Sequence, residues 1–82
     1  MIRVLFFASL RERLATGQLE LAAQDTTSVA DIRRNLQARG EDWGELLGDE
    51  AVMVAVNQSI ARDHTSVCDG DEVAFFPPVT GG

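Results

Sequence analysis

The stretch Ser28-Val29-Ala30-Asp31-Ile32-Arg33-Arg34-Asn35-Leu36-Gln37-Ala38-Arg39-Gly40 decides the fold, because it carries the long helical period of this chain. Val29, Ile32 and Leu36 fall at i, i+3 and i+7 and share one helical face. Ser28 with Asp31 three residues on has the form of a capping box, although Asp is weaker there than Glu. Arg39 suits the C-terminal end of the helix dipole, and Gly40 suits the stop. An apolar stripe of this kind has to be buried against another element, so the flanking segments must supply the surface that covers it.

Working outward, both flanks read as strands. Ile2-Arg3-Val4-Leu5-Phe6-Phe7-Ala8 is rich in β-branched and aromatic residues, as strands are. A polar, arginine-rich segment from Ser9 to Gln18 follows, then a shorter strand at Leu19-Glu20-Leu21-Ala22. Beyond the helix, residues 41–48 suit a short second helix around Trp43, Leu46 and Leu47, and Ala51-Val52-Met53-Val54-Ala55-Val56 is the clearest central strand. Asn57-Gln58 marks a turn, with a brief pairing near Ile60. Asp69-Gly70-Asp71 marks another turn and leads into the last strand, Glu72-Val73-Ala74-Phe75-Phe76. The order is strand, strand, helix, strand, short strand, strand. Its economical solution is α+β: a ubiquitin-like β-grasp roll, a mixed sheet of about five strands with one main helix packed on one face. The expected division is a β-grasp domain over 1–78 and a flexible C-terminal tail over 79–82.

Strand alternation then assigns faces, since successive side chains point to opposite sides. Arg3, Leu5 and Phe7 share one face of the first strand, and Ile2, Val4 and Phe6 the other. In the last strand Glu72, Ala74 and Phe76 are set against Val73 and Phe75. The charged residues mark the outside, so Phe7 and Phe76 are expected to face outward. In a roll of this kind the first and last strands lie parallel and adjacent at the sheet centre, which brings Phe7 and Phe76 close to the root of the tail. Burying a phenylalanine is worth roughly 1.5–3 kcal/mol, so two left in water together point to a docking patch for a partner.

Composition narrows the function classes. The 82 residues support one domain, and 45% hydrophobic content is enough for a packed core. No apolar run approaches the roughly 20 residues that a membrane-crossing helix needs. The strand pattern begins at Met1, so no signal peptide is expected, and the expected location is cytoplasmic. Net charge is −6, from 13 acidic residues against seven arginines and no lysine. Phosphate backbones repel such a chain, so no nucleic-acid partner is expected and a basic protein surface suits better. Cys68 is the lone cysteine and allows no intrachain disulfide; His64 has no second histidine or cysteine beside it, so no metal site is expected.

The ending Pro77-Pro78-Val79-Thr80-Gly81-Gly82 carries the chemistry. Two prolines stiffen the exit, Val79 and Thr80 act as a spacer, and two residues without side chains form a slim tip. A terminal carboxylate is ionised at neutral pH, its ordinary pKa being about 3.3–3.7. From Val79 to Gly82 the extended reach is roughly 13 Å at 3.3–3.6 Å per residue. Such a tail can enter a narrow channel and present its carboxylate to a reaction centre in another protein. If that carboxylate were activated as an acyl-adenylate, no lysine of this chain could capture it.

The opening Ile2–Ala8, the run Val54-Ala55-Val56-Asn57-Gln58 and the ending Asp69–Gly82 resemble the small, sulfur-carrier subunits of molybdopterin synthase. The similarity spans essentially the whole chain and is most specific in the last fourteen residues. It implies that an E1-like activating enzyme uses ATP and Mg²⁺ to adenylate the Gly82 carboxylate. Sulfur from a donor protein then displaces AMP to leave a C-terminal thiocarboxylate. The large synthase subunit takes up the tail, with Gly81 giving clearance and Thr80 and Val79 lining the channel. The sulfur passes to cyclic pyranopterin monophosphate, and two transfers build the dithiolene. The resemblance further implies a heterotetramer of two small and two large subunits, a hydrophobic contact patch at Phe7, Ile60 and Phe76, no cofactor bound by this chain, and catalytic groups supplied by the partners. Three alternatives stand beside it: a carrier for thiamine or another thio-cofactor, a ubiquitin-like protein modifier, and a plain interaction module. The spacing Phe-Phe-Pro-Pro-Val-Thr argues against the first.

Overall fold

The computed structural model describes residues 1–23 and 27–78. Its elements run β1 (Ile2–Phe6), α1 (Ala8–Leu14), β2 (Gln18–Leu21), β3 (Thr27–Ser28), α2 (Val29–Gln37), α3 (Glu41–Leu47), β4 (Met53–Val56), β5 (Ser59–Ile60), β6 (Ser66–Val67) and β7 (Glu72–Phe76). Five strands form a mixed sheet in the order β2-β1-β7-β4-β5, while β3 and β6 pair separately. The first and last strands are parallel neighbours at its centre, with Val4 opposite Val73 and Phe6 opposite Phe75. β4 flanks β7 antiparallel, Met53 opposite Phe76 and Val54 opposite Phe75. This is the mixed five-strand roll expected from the order of elements.

The alternation expected along β1 and β7 is realised. Ile2, Val4, Phe6, Val73 and Phe75 point to one face and are buried there with Val54. The helices cover that face with Leu10 and Leu14 of α1, Val29, Ile32 and Leu36 of α2, and Leu46 and Leu47 of α3. Phe6 stacks with Phe75 at 6.1 Å between ring centres and meets Trp43 edge-on at 5.4 Å. Aromatic pairs in these arrangements add to simple burial. At the N-terminus of α2 the capping box is complete: the Ser28 hydroxyl accepts from Asp31 N–H, and the Asp31 carboxylate accepts from Ser28 N–H at 3.0 Å. Arg34 also pairs with Asp31, and these donors, Arg34 first and Ser28 second, hold its carboxyl below the usual range.

Arg33 stands on the edge of the core. Its guanidinium donates to the carbonyls of Leu47 (3.1 Å) and Val52 (3.0 Å) and lies over the Phe75 ring at 5.6 Å. Nε is 3.1 Å from Asp63 Oδ1, an ion pair whose N–H is not aimed as a hydrogen bond. One arginine thereby ties α2 to the end of α3 and to the start of β4.

The segment Ser9–Gln18, read from the sequence as polar and arginine-rich only, contains a helix. Leu10 and Leu14 lie one turn apart and are both buried, so packing rather than capping forms α1. Phe7 at its N-cap makes no side-chain cap bond, and Ala8 (φ 53°) and Ala15 (φ 52°) bracket it in the left-handed region. Alanine there costs on the order of 1 kcal/mol, which the tertiary contacts of Leu10 and Leu14 offset.

Candidate functional site

The sheet face opposite the helices has no element of the described residues over it. In register its rows read Gln18–Leu5–Ala74–Ala55–Ile60 and, nearer the chain exit, Phe76–Met53. Phe7 N–H donates to Phe75 O at 3.1 Å, which carries the β1–β7 ladder one residue further and brings Phe7 level with Phe76. Phe7 is 46% exposed, Ile60 66% and Met53 36%, and Phe76 is half-buried beside them. At about 4.8 Å between strands, the patch from β1 to β5 is roughly 15 Å across. Exposed apolar residues scattered singly need no explanation, but a contiguous group does.

Phe7, Ile60 and Phe76, the three positions named from the sequence, thus share one uncovered face. Gly81, Gly82, Val79 and Thr80 lie outside the described residues. The last described residues, Pro77 and Pro78, follow β7 directly after Phe76, at the border of the patch. Met53 was missed in the sequence reading. Its signal was present, because the alternation of Val52, Val54 and Val56 inward leaves Met53 and Ala55 outward. Met53 stands opposite Phe76 and two residues before Ala55, the partner of Ile60, and its flexible thioether adds apolar surface to the same face.

At the other end of the sheet the Asp69-Gly70-Asp71 turn is built as a clasp. Asp71 accepts from Cys68 N–H at 2.8 Å and from the Asn57 amide at 3.0 Å. Asn57 in turn accepts from Glu72 N–H at 3.0 Å and donates its own N–H to Glu72 O at 2.8 Å. The Cys68 amide, then the Asn57 side chain, hold the Asp71 carboxyl below its usual range. Asp69 pairs with the Met1 ammonium, whose hydrogen bond and charge lower its carboxyl likewise. Gly70 takes a positive φ of 89°, where glycine is free of strain. Asp69 and Asp71 thus serve the fold, through the Met1 ammonium and through Cys68 N–H and the Asn57 amide. Cys68 and His64 are both exposed, and among the described residues no cluster of His, Cys, Asp or Glu is placed to hold a metal. Among the described residues no helix is long and apolar enough to cross a membrane.

Comparison with known proteins gives a consistent picture. The chain is 46% identical over 82 residues to the molybdopterin synthase sulfur carrier subunit of Escherichia coli (strain K12), covering 100% of both chains. It is 40% identical to that of Haemophilus influenzae, again with 100% of both covered. The small archaeal modifier protein 3 of Haloferax volcanii is 34% identical, with 94% of each chain covered. Among solved structures, the complex of subunits 1 and 2 of the molybdopterin-converting factor from Helicobacter pylori matches with a TM-score of 0.71 and 27% identity, covering 99% of this chain and 97% of that one. Residues 4–82 match the model of the ThiS family, and the chain belongs to that family.

Proposed function

We propose that this chain is the sulfur carrier subunit of a molybdopterin synthase. The observation that carries the reading is an uncovered apolar face, Phe7, Met53, Ile60 and Phe76, at whose border the strand leading to Gly81-Gly82 ends. The end-to-end identity to carrier subunits supports it.

The chemistry assigns a distinct task to each part. A carboxylate is a poor electrophile until a better leaving group is attached. An E1-like enzyme, with ATP and Mg²⁺, would join the Gly82 carboxylate to AMP with release of pyrophosphate. The outer sulfur of a donor persulfide then attacks the carbonyl carbon and AMP departs with its electron pair, leaving an acyl disulfide. A second thiol of the partner attacks the donor sulfur, is oxidised to a disulfide with it, and releases the thiocarboxylate. The apolar face docks on the large subunit and aims the tail into its active site, where sulfur passes to cyclic pyranopterin monophosphate. Docking and positioning belong to this chain; the acid, base and metal chemistry belongs to its partners. Two small subunits on a dimer of large subunits complete the assembly. Docking energy in such interfaces concentrates in a few desolvated apolar anchors, which is the composition of this patch.

Incubation with an E1-like activating enzyme, ATP and a sulfur donor, followed by intact-mass analysis, tests the reading. The expected result is replacement of one oxygen by sulfur at Gly82, and loss of that change when one residue is appended after Gly82. An unchanged mass would reject it. Isopeptide conjugates on lysines of other proteins would favour a modifier, the role named for the Haloferax volcanii relative.

A further inference from the structure

β5 is two residues long and pairs with Ala55 and Val56, so it covers only the later half of β4. Along the earlier half α2 takes the place of a strand, with Arg33 donating to Val52 O at 3.0 Å. Between them lies a groove of about 690 Å³. Leu47, Val52, Val54 and Ala61 give it an apolar lining, and Met53 and Ile60 line it too, so it is continuous with the uncovered apolar face. Its volume falls within the roughly 300–1,000 Å³ of pockets that enclose small ligands, room for a few residues of a partner.

The charged groups of the groove divide into those already paired and those not. Arg33 is held by Asp63 and two carbonyls, and Arg34 by Asp31. Glu50 enters from the α3–β4 connection, and Arg62 and His64 from the β5–β6 connection, beside Ile60. Arg62 is exposed and, among the described residues, forms no ion pair. The turn that carries it is fixed at both ends. Arg62 N–H donates to Thr65 Oγ1 and Thr65 N–H to Arg62 O, each at 3.0 Å, while Ala30 and Val29 of α2 donate to Asp63 O (2.9 Å) and Thr65 O (3.0 Å). A side chain raised on a fixed turn leaves little backbone freedom to lose on binding. On a chain of net charge −6 most of the surface attracts basic groups; beside Ile60 the sign is reversed.

We propose that this groove takes an acidic segment of the large synthase subunit, which lies along the open edge of β4 and pairs an Asp or Glu carboxylate with Arg62. The inference rests on the reading that the apolar face docks on that subunit. Four apolar anchors supply affinity but tolerate several rotations about the patch, whereas a guanidinium–carboxylate pair at its margin admits one.

Titration calorimetry of the full chain against the large subunit tests it. Arg62→Glu is expected to weaken binding about tenfold at low ionic strength, and Arg62→Gln about threefold. Both differences should shrink at about 1 M salt, where screening acts within about 3 Å. Arg39→Glu makes the same change of net charge on the helical side, where Arg39 lies over Trp43, and should alter affinity by less than about twofold. Urea unfolding of the free chains establishes that each variant folds. A benzophenone side chain in place of His64 should photo-crosslink to a large-subunit peptide that contains Asp or Glu. The proposal is overturned if Arg62→Glu binds as tightly as the unsubstituted chain, if Arg39→Glu weakens binding equally, or if the loss is indifferent to salt. Absence of a crosslink, or one to a peptide without acids, overturns it as well. In each of those cases the reading of function stands if Phe76→Asp still abolishes binding; no binding by the unsubstituted chain would overturn both.

Discussion

Phe6 and Phe7 are neighbours in the chain, as are Phe75 and Phe76, yet each pair is divided between two worlds. Phe6 and Phe75 are 1% and 0% exposed, stacked on one another beneath the helices. Phe7 and Phe76 stand on the reverse side of the same strands, where no described element covers them. The inner side is bound by shape, with Trp43, Leu10 and Leu36 filling the space around the rings. The outer side is bound by register alone: Phe76 stands opposite Met53, Ile60 opposite Ala55, and Phe7 directly follows the end of β1. Identical side chains therefore fill the core on one side of the sheet and stand uncovered on the other.

Substitutions can break this contrast. Phe75→Ala should remove about 3–5 kcal/mol, the usual cost of opening a cavity by truncating a buried phenylalanine. That is a large part of the roughly 5–15 kcal/mol that holds a small domain together, and urea unfolding would register it as a lower midpoint. Phe76→Asp should act the other way. Stability is expected to change by about 1 kcal/mol or less, while affinity for the large subunit falls by about 2 kcal/mol, near thirtyfold, as for an interface anchor. Titration calorimetry measures the second quantity and urea the first. Global unfolding of Phe76→Asp would show that the two faces are not separable.

The smallest effect concerns acid. The Asp71 carboxyl is lowered in the folded state, so its contribution is fully present above the ordinary aspartate value of about 3.9 and is lost as pH falls through the lowered folded value. Asp71→Asn should therefore flatten part of the fall in stability below about pH 4, leaving the share that belongs to Asp31 and Asp69. Urea midpoints measured down that acid limb would decide it, and an unchanged slope would remove Asp71 from the account.

What was legible in the sequence follows from how each element is held. α2 announces itself by period, capping box and stop residue, all of them local, and β1, β4 and β7 by apolar runs with turn residues between. α1 does not: it has no capping side chain, is only seven residues long, and exists because Leu10 and Leu14 find the core. The β3–β6 pairing joins Thr27–Ser28 to Ser66–Val67, two residues each and far apart in the chain, and no local pattern can reveal it. On the uncovered face, Phe7 and Phe76 followed from alternation beside charged neighbours. Ile60 came from the family resemblance, and Met53 needed the β4–β7 register to be seen between them.

Trp43 is the sole tryptophan in a chain that has no tyrosine. Its indole touches Phe6 edge-on, and the Arg39 guanidinium caps it at 5.6 Å, all on the helical side. The molecule thus carries its own optical gauge. Emission from that ring will track unfolding of the interior, whereas events on the reverse surface should leave its colour unchanged, so one cuvette can tell a damaged protein from an occupied one.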